Sequence, residues 1–508
     1  MWPRLKAEDF RIVFHYLGYL VVFTGIAMLI PLAIALVQRN TVIAVNYTIG
    51  IGASFAAGFA MCMCKINIAN LKRRQAVVIT ALAWLVCSLF AAIPLYLSGH
   101  YSSYFDSVFE GMSSFTTTGF SLCVDIEHMS LSDIMWRFVL QFIGGQGIVV
   151  VALSIGAFVR SGSRASLYYA EGRHDHVMPE IKQTVRFIGG FSIIVVLVGG
   201  IACAIVLAVK GISPKMALFH GIGTTIAAYV TGGFTVNSMG VTYYHSWVLE
   251  VMLMVIMLIG SISLALFIRA FKGHLSDFFK NYELRVYAVW MLAVLAGFLT
   301  MLLVGNHFID LGTLMRKGVF TLVSAATSCG FSDLTPTQLG NLVSMGAFMM
   351  LACAMAVGGM SESMAGGMKV IRLGILAKDL VTQVKQVLSP DSAKMVPTYE
   401  NLGKKPLKQS AVRVAAVILV LYIASFMVGM FVGVACGYRG DQALFESISA
   451  TSNNGLTMGL ASSTAPLALK ITYFVQMWLG RLEFLSVMAT IAALIASLRP
   501  VGRRSAAR

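Results

Sequence analysis

Long apolar runs, separated by short polar and basic breaks, set the pattern of this chain. Ala76 to Leu97, Phe187 to Val209, Val286 to Val304 and Val414 to Val434 reach the roughly 20 residues a helix needs to cross about 30 Å of hydrocarbon. Counting similar runs predicts about ten spans. Two of them, Phe14 to Val37 and Val42 to Met63, come first. One unit then occurs four times: a long apolar span, a shorter amphipathic stretch, a Gly-containing polar turn and a second long apolar span. The predicted limits are 1–70 for the amino-terminal pair and 71–160, 180–272, 284–380 and 408–498 for the four units.

The polar turns are Thr116-Thr117-Thr118-Gly119-Phe120, Val230-Thr231-Gly232-Gly233-Phe234, Thr327-Ser328-Cys329-Gly330-Phe331 and Ser452-Asn453-Asn454-Gly455-Leu456. Their last glycines lie 114, 97 and 125 residues apart, which reads as structural duplication rather than a short solenoid repeat. Phe109-Glu110, Phe320-Thr321 and Phe445-Glu446 stand ten and nine residues before their glycines, a length that suits a helix crossing half a membrane. In the second unit Phe219-His220 stands fourteen and thirteen residues before Gly233, which predicts about one extra helical turn or a different helix start.

Composition narrows the class. The 508 residues are 58% hydrophobic and 12% charged, with a mean hydropathy of +0.81, too apolar for an ordinary wet surface. Arg4, Lys6 and Arg11 precede the first run without a small-residue cleavage site, so that run is expected to be a retained span. The net charge of +16 does not indicate nucleic acid, because the basic residues sit in short loops between spans. With a cytoplasmic amino terminus, 29 of the 38 lysines and arginines fall on one side, the positive-inside bias of a multi-pass membrane protein. Asp106, Glu110, Asp125, Glu127, Asp133, Asp310, Asp333, Asp441 and Glu446 fall on the other, an acidic face that attracts cations.

Candidate chemistry concentrates in the four turns. Backbone left unpaired at membrane depth is tolerated only where protein or a water-filled cavity satisfies it. Around an axis, the turn carbonyls would replace the hydration shell of a cation, and glycine permits the angles that aim them inward. The half-helices would present their partly negative carboxyl ends to the same place. His174-Asp175-His176 lacks convergent ligands and reads as solvated loop surface. The eight cysteines match no zinc or redox spacing and read as buried structural thiols, and the Met-rich inner spans read as packing. No nucleotide-binding glycine loop and no catalytic constellation appears, so no enzyme is expected.

From about residue 70 to 498 the chain resembles the Trk-type superfamily of potassium transporters, the Trk, Ktr and HKT proteins, and it is most similar to the bacterial Trk membrane subunit. The motifs FTTTGF and VTGGFT carry the likeness most specifically. The resemblance implies an all-α polytopic membrane protein in which four pseudo-symmetric helix, pore helix, filter loop and helix repeats surround one pore, beside two amino-terminal helices. It implies a potassium filter at Thr117, Thr118, Gly119, Thr231, Gly232, Gly233, Ser328, Cys329, Gly330, Asn453, Asn454 and Gly455, with potassium as the transported ion and no covalently bound cofactor.

It further implies a gate beneath the filter. Gly358-Gly359-Met360-Ser361-Glu362-Ser363-Met364-Ala365-Gly366-Gly367 breaks the third inner span where the family has an intramembrane loop, and glycines and serines make a poor helix. Arg481 stands in the fourth inner span where the family carries an arginine. It would act as an electrostatic barrier, or pair structurally with Glu483 or a carbonyl, and Glu362 would partly compensate it. A homodimer in membrane lipid, docked to a cytosolic nucleotide-binding regulatory subunit at the basic segments 160–186 and 369–408, completes the implied assembly. Passive flux and proton- or sodium-coupled symport both stay open. So do two alternatives: a sodium-conducting or weakly selective relative, and a non-conducting sensor or assembly subunit.

Overall fold

A computed structural model describes residues 5–64, 71–147, 181–304, 311–334, 345–390, 397–401 and 403–498. His174-Asp175-His176, most of the basic segment 160–186 and the last ten residues lie outside the described residues. The described residues are mostly helical, with a two-stranded antiparallel hairpin, Thr398–Glu400 with Lys404–Pro406, between the third and fourth units.

The amino-terminal pair is a 31-residue apolar rod, Ala7–Val37, with a turn at Met28, and a return helix, Thr41–Cys62. Glycine sets their spacing: a Cβ on Gly18 would meet the Gly58 carbonyl at 2.7 Å. The starts of the first rod and of the first outer helix share one cap. Asp9 accepts from the Lys6 amide at 2.8 Å, Gln75 Oε1 accepts from the Lys72 amide at 2.8 Å, and Gln75 Nε2 donates to Asp9 at 2.5 Å. The orphan donors of two helix starts are thereby satisfied by side chains buried between them.

Each of the four units then has an outer helix, a half-helix and an inner helix. The outer helices are Arg73–Leu97, Ile181–Val209, Tyr282–Val304 and Gln409–Ala435. The half-helices are Tyr104–Phe115, Pro214–Tyr229, Leu311–Ala326 and Gly440–Thr451, and each ends four residues before its turn glycine. The second is 16 residues long against 12 for the first and fourth, but the third, with Phe320-Thr321 at the ordinary spacing, is also 16, so the offset of Phe219-His220 does not by itself account for the length. The length difference lies wholly at the amino ends, so all four helices meet their turns in one register.

The inner helices are Leu131–Gln146, Trp247–Ser261, Met345–Val357 and Leu467–Arg481. Sequence predicted a break in the third alone. The second bends by 93° into Leu264–Phe271, and the fourth by 110° into a helix beginning at Leu485. Among the described residues, six helices are long and apolar enough to span a membrane, and the two bent pairs raise this to eight. The first and third inner helices, 16 and 13 residues, are shorter and occupy the remaining two of the ten predicted positions.

Glycines let the inner helices pass close to the half-helix ends. A Cβ on Gly144 would strike the Phe115 carbonyl, one on Gly260 the Tyr229 carbonyl and one on Gly480 the Thr451 carbonyl. The first, second and fourth inner helices therefore cross the ends of their own half-helices at a glycine, at backbone contact. The cysteines are free, and of the eight only Cys87, Cys203 and Cys329 are fully buried, so the expectation of buried thiols holds for three.

Candidate functional site

The four turns have one backbone conformation. Residues Thr117, Thr231, Ser328 and Asn453 have φ of 54°, 52°, 57° and 51°, and Gly119, Gly233, Gly330 and Gly455 have φ between 71° and 95°. Each half-helix ends with the same pair of bonds. In the first, the Thr118 amide donates to the Ser113 carbonyl at 2.9 Å and the Thr117 amide to Ser114 at 3.1 Å. The pairs Gly232 to Ala227, Cys329 to Ser324 and Asn454 to Ser449 repeat the first of these bonds at 2.7, 2.9 and 2.9 Å. This is a Schellman ending, which normally places glycine in the left-handed position. Here Thr, Thr, Ser and Asn occupy it, at a cost of about 1–3 kcal/mol each. Strain repeated four times at one place marks a site rather than an accident of folding.

The turns close into a ring. A Cβ on Gly119 would meet the Gly232 carbonyl oxygen, one on Gly233 that of Cys329, one on Gly330 that of Asn454 and one on Gly455 that of Thr118. The cyclic order runs from the first unit through the fourth and back, with backbone against backbone at every step. All twelve residues expected at a filter lie in this ring or one residue from it. Asn453 and Asn454, where the other turns have Thr or Ser followed by Thr, Gly or Cys, tie the fourth turn to both neighbours: Asn453 Nδ2 donates to Thr118 Oγ1 at 3.0 Å, and Asn454 Nδ2 to the Ala325 carbonyl at 2.8 Å.

Carboxylates anchor two of the strands leaving the ring. Glu110 accepts from Ser121 Oγ and the Leu122 amide, both at 2.9 Å, and from Arg137 Nε at 2.8 Å. Glu446 accepts from Thr457 Oγ1 at 2.6 Å and from the Met458 and Leu460 amides at 2.9 and 3.0 Å. Both acids thus brace the loop above the turn. At the outer rim, Glu127 takes hydrogen bonds from the Ser238 hydroxyl and amide at 2.7 and 3.0 Å, joining the first and second units. Those bonds hold its carboxyl below the usual carboxylate range, so it stays charged at neutral pH.

Under the ring lies the break 358–367. Its amides Met360 and Met364 donate to the Ser261 and Gly260 carbonyls, both at 3.0 Å, and Gly367 donates to Ser452, the residue before the fourth turn, at 2.8 Å. Gly358 and Gly367 press on each other, Gly359 on Ala365 and Ser261, and Gly366 on Ser452. Glu283 of the third outer helix, 2% exposed, accepts from the Ser361 amide at 2.5 Å and its hydroxyl at 2.8 Å. Glu362 is half-buried with a φ of 56°. Arg481 Nη1 donates to Thr117 Oγ1 at 3.1 Å and the Met364 carbonyl at 3.0 Å, and Nη2 donates to Gly144 at 2.9 Å and Gly145 at 3.2 Å. One guanidinium therefore links the first turn, the break and the first inner helix. Glu483, the neighbour considered as its partner, forms an ion pair with Arg372.

A sequence profile of the TrkH family, described as a cation transport protein, matches residues 44–499. This chain belongs to the TrkH family of cation transport proteins. The family is one of transporters and not of enzymes. A cation transporter of Methanocaldococcus jannaschii, itself uncharacterized, is 31% identical over 97% of both chains. The Trk system potassium uptake protein TrkH of Halomonas elongata is 29% identical over 94% of this chain and 97% of its own. In fold, the chain is similar to the crystal structure of the potassium transporter TrkH from Vibrio parahaemolyticus, with a TM-score of 0.77, 23% identity and 97% and 99% of the two chains covered.

In this TrkH-family chain several buried groups near the ring escaped the sequence reading. Arg137, 1% exposed, bonds Glu110 and stacks 4.0 Å from the Phe234 ring centre of the second unit. Lys470 of the fourth inner helix pairs with Asp106 of the first half-helix at 2.7 Å, and Glu250 of the second inner helix pairs with Arg316 of the third half-helix. An ionisable residue inside an apolar span was the available signal. The glycines 25, 27 and 25 residues after Gly119, Gly233 and Gly455 were another.

Proposed function

We propose that this chain takes up potassium ions through the ring of turns at Gly119, Gly233, Gly330 and Gly455. The observation that carries this reading is the closed cyclic order of four strained, identically capped turns at the carboxyl ends of four half-helices. Such ends carry partial negative charge. A ring of backbone carbonyls substitutes for a cation's hydration water without binding it as tightly as a carboxylate would. Potassium as the ion is supported by the potassium uptake proteins among the relatives.

In this reading the break 358–367 is the gate and Arg481 its latch, because the side chain bonds both the first turn and the loop. Glu283 holds the loop from the opposite side. The units 71–160, 180–272, 284–380 and 408–498 are the four pore repeats. The amino terminus is cytoplasmic, two copies associate in the membrane, and a cytosolic nucleotide-binding subunit docks on the basic loops. Purified protein in potassium-loaded liposomes tests the central reading through rubidium tracer uptake. Uptake suppressed by external potassium and far less by sodium is expected, and equal suppression by sodium would replace the reading with that of a weakly selective cation transporter.

A further inference from the structure

Gln141 lies on the first inner helix, three residues before Gly144, and is fully buried. Its Nε2 donates a 2.6 Å hydrogen bond to the carbonyl of Gly232, the carbonyl that borders Gly119 in the ring. At the corresponding place the other turns carry side chains of their own. Thr118 Oγ1 meets Thr116 Oγ1 at 2.8 Å, Cys329 Sγ faces the Ala227 carbonyl at 3.6 Å, and Asn454 bonds Ala325. Gly232 has no positive φ, so its backbone does not demand glycine. A Cβ there would instead run into the Gln141 carboxamide at 2.6–2.8 Å. Glycine at 232 makes room for a side chain delivered by the neighbouring repeat. Where Gly260 and Gly480 make the same crossing as Gly144, the residues three before them are Met257 and Met477, which offer no such donor.

We propose that Gln141 is a specificity-determining positioning residue, which holds the Gly232 carbonyl from behind and so makes one of the four ring carbonyls unlike the rest. The inference rests on the reading of the ring as the ion path. A carbonyl oxygen has two acceptor directions, and Gln141 fills one while leaving the other for an ion. The N–H dipole lowers the field this carbonyl presents, and the tether resists its collapse inward around an ion smaller than potassium.

The test uses the full-length protein in liposomes, with reversal potentials in mixed potassium and sodium. Gln141→Met preserves volume and places there the residue used in the second and fourth units, so it removes the donor with little change in packing. Loss of one buried hydrogen bond predicts a roughly two- to tenfold fall in the potassium-to-sodium ratio, with normal insertion and a changed half-saturating potassium concentration. Gln141→Glu, which sets an acceptor against the carbonyl, lowers the ratio further. Should Gln141→Met fail to insert, Gln141→Leu and Gln141→Glu read the same ratio. In a Gln141→Ala background, Gly232→Ser supplies a side chain from the strand itself and restores part of the ratio, although alone it is harmful. A wild-type ratio in every inserted Gln141 variant overturns the proposal. Gly119→Ser separates the two readings: if it lowers the ratio while Gln141→Met does not, only the role of Gln141 fails, and if neither does, the ring is not the ion path.

Discussion

The ring and the floor beneath it are built on opposite plans. Above, four turns with unlike sequences, among them Thr-Thr-Gly and Asn-Asn-Gly, adopt one conformation and close on each other glycine to carbonyl. Below, the four inner helices diverge, by bends of 93° and 110° in the second and fourth and by the glycine-rich loop in the third. Repetition suits a structure that must present the same oxygen spacing from every side. In the proposed gating, asymmetry suits the part that moves: one loop, bonded to Arg481, Glu283, Ser452 and the Ser261 and Gly260 carbonyls, carries the change while the ring keeps its repeat.

Breaking the ring is expected to have the largest effect. Gly330→Ala places a methyl group on the Asn454 carbonyl at a φ of 88°, where an L-residue is strained by about 1–3 kcal/mol before any clash. Rubidium uptake should fall at least tenfold in inserted protein. Near-normal uptake would mean that the ring tolerates what its packing forbids.

Arg481→Ala attacks the floor. It removes four hydrogen bonds and one half-buried positive charge, so flux is expected to rise severalfold as the barrier and the latch are lost together. Glu362→Ala should lower flux. A double-mutant cycle read by tracer uptake reports whether the two act as one unit, and strict additivity would show separate roles.

Glu283→Gln is expected to be milder. The amide keeps one acceptor for Ser361 and loses the charge, raising basal flux about twofold to fivefold, as one weakened hydrogen bond predicts. Ser361→Ala should mimic it, and a decrease in both would reverse the assigned direction of the latch. The smallest effect is expected at Thr457→Ala, which removes one of the bonds to Glu446 and should cost about 1 kcal/mol in thermal unfolding with selectivity unchanged.

Much of this contrast was legible in the residues, and unevenly. The turns announced themselves because a Gly-containing polar turn after a short amphipathic stretch is rare inside apolar sequence, and it recurred four times, at one spacing in three of them. The offset of Phe219-His220 was a weaker signal: the second half-helix is longer than the first and fourth, but the third is equally long with Phe320-Thr321 at the ordinary spacing. The bends after Ser261 and Arg481 were not legible. Apolar periodicity continues through them, and the glycines just before them, Gly260 and Gly480, pack on half-helix ends more than twenty residues away in sequence. The braces Lys470 to Asp106, Glu250 to Arg316 and Gln141 to Gly232 join different units, and such pairings appear only once the cyclic order is known.

The potassium-to-sodium permeability ratio of Gly119→Ser, measured from reversal potentials beside the wild type, tests the central claim most directly. A hydroxymethyl group at Gly119 lands on the Gly232 carbonyl, so the ratio should collapse toward one while insertion is retained. An unchanged ratio in well-inserted protein would contradict the claim that ions pass through this ring.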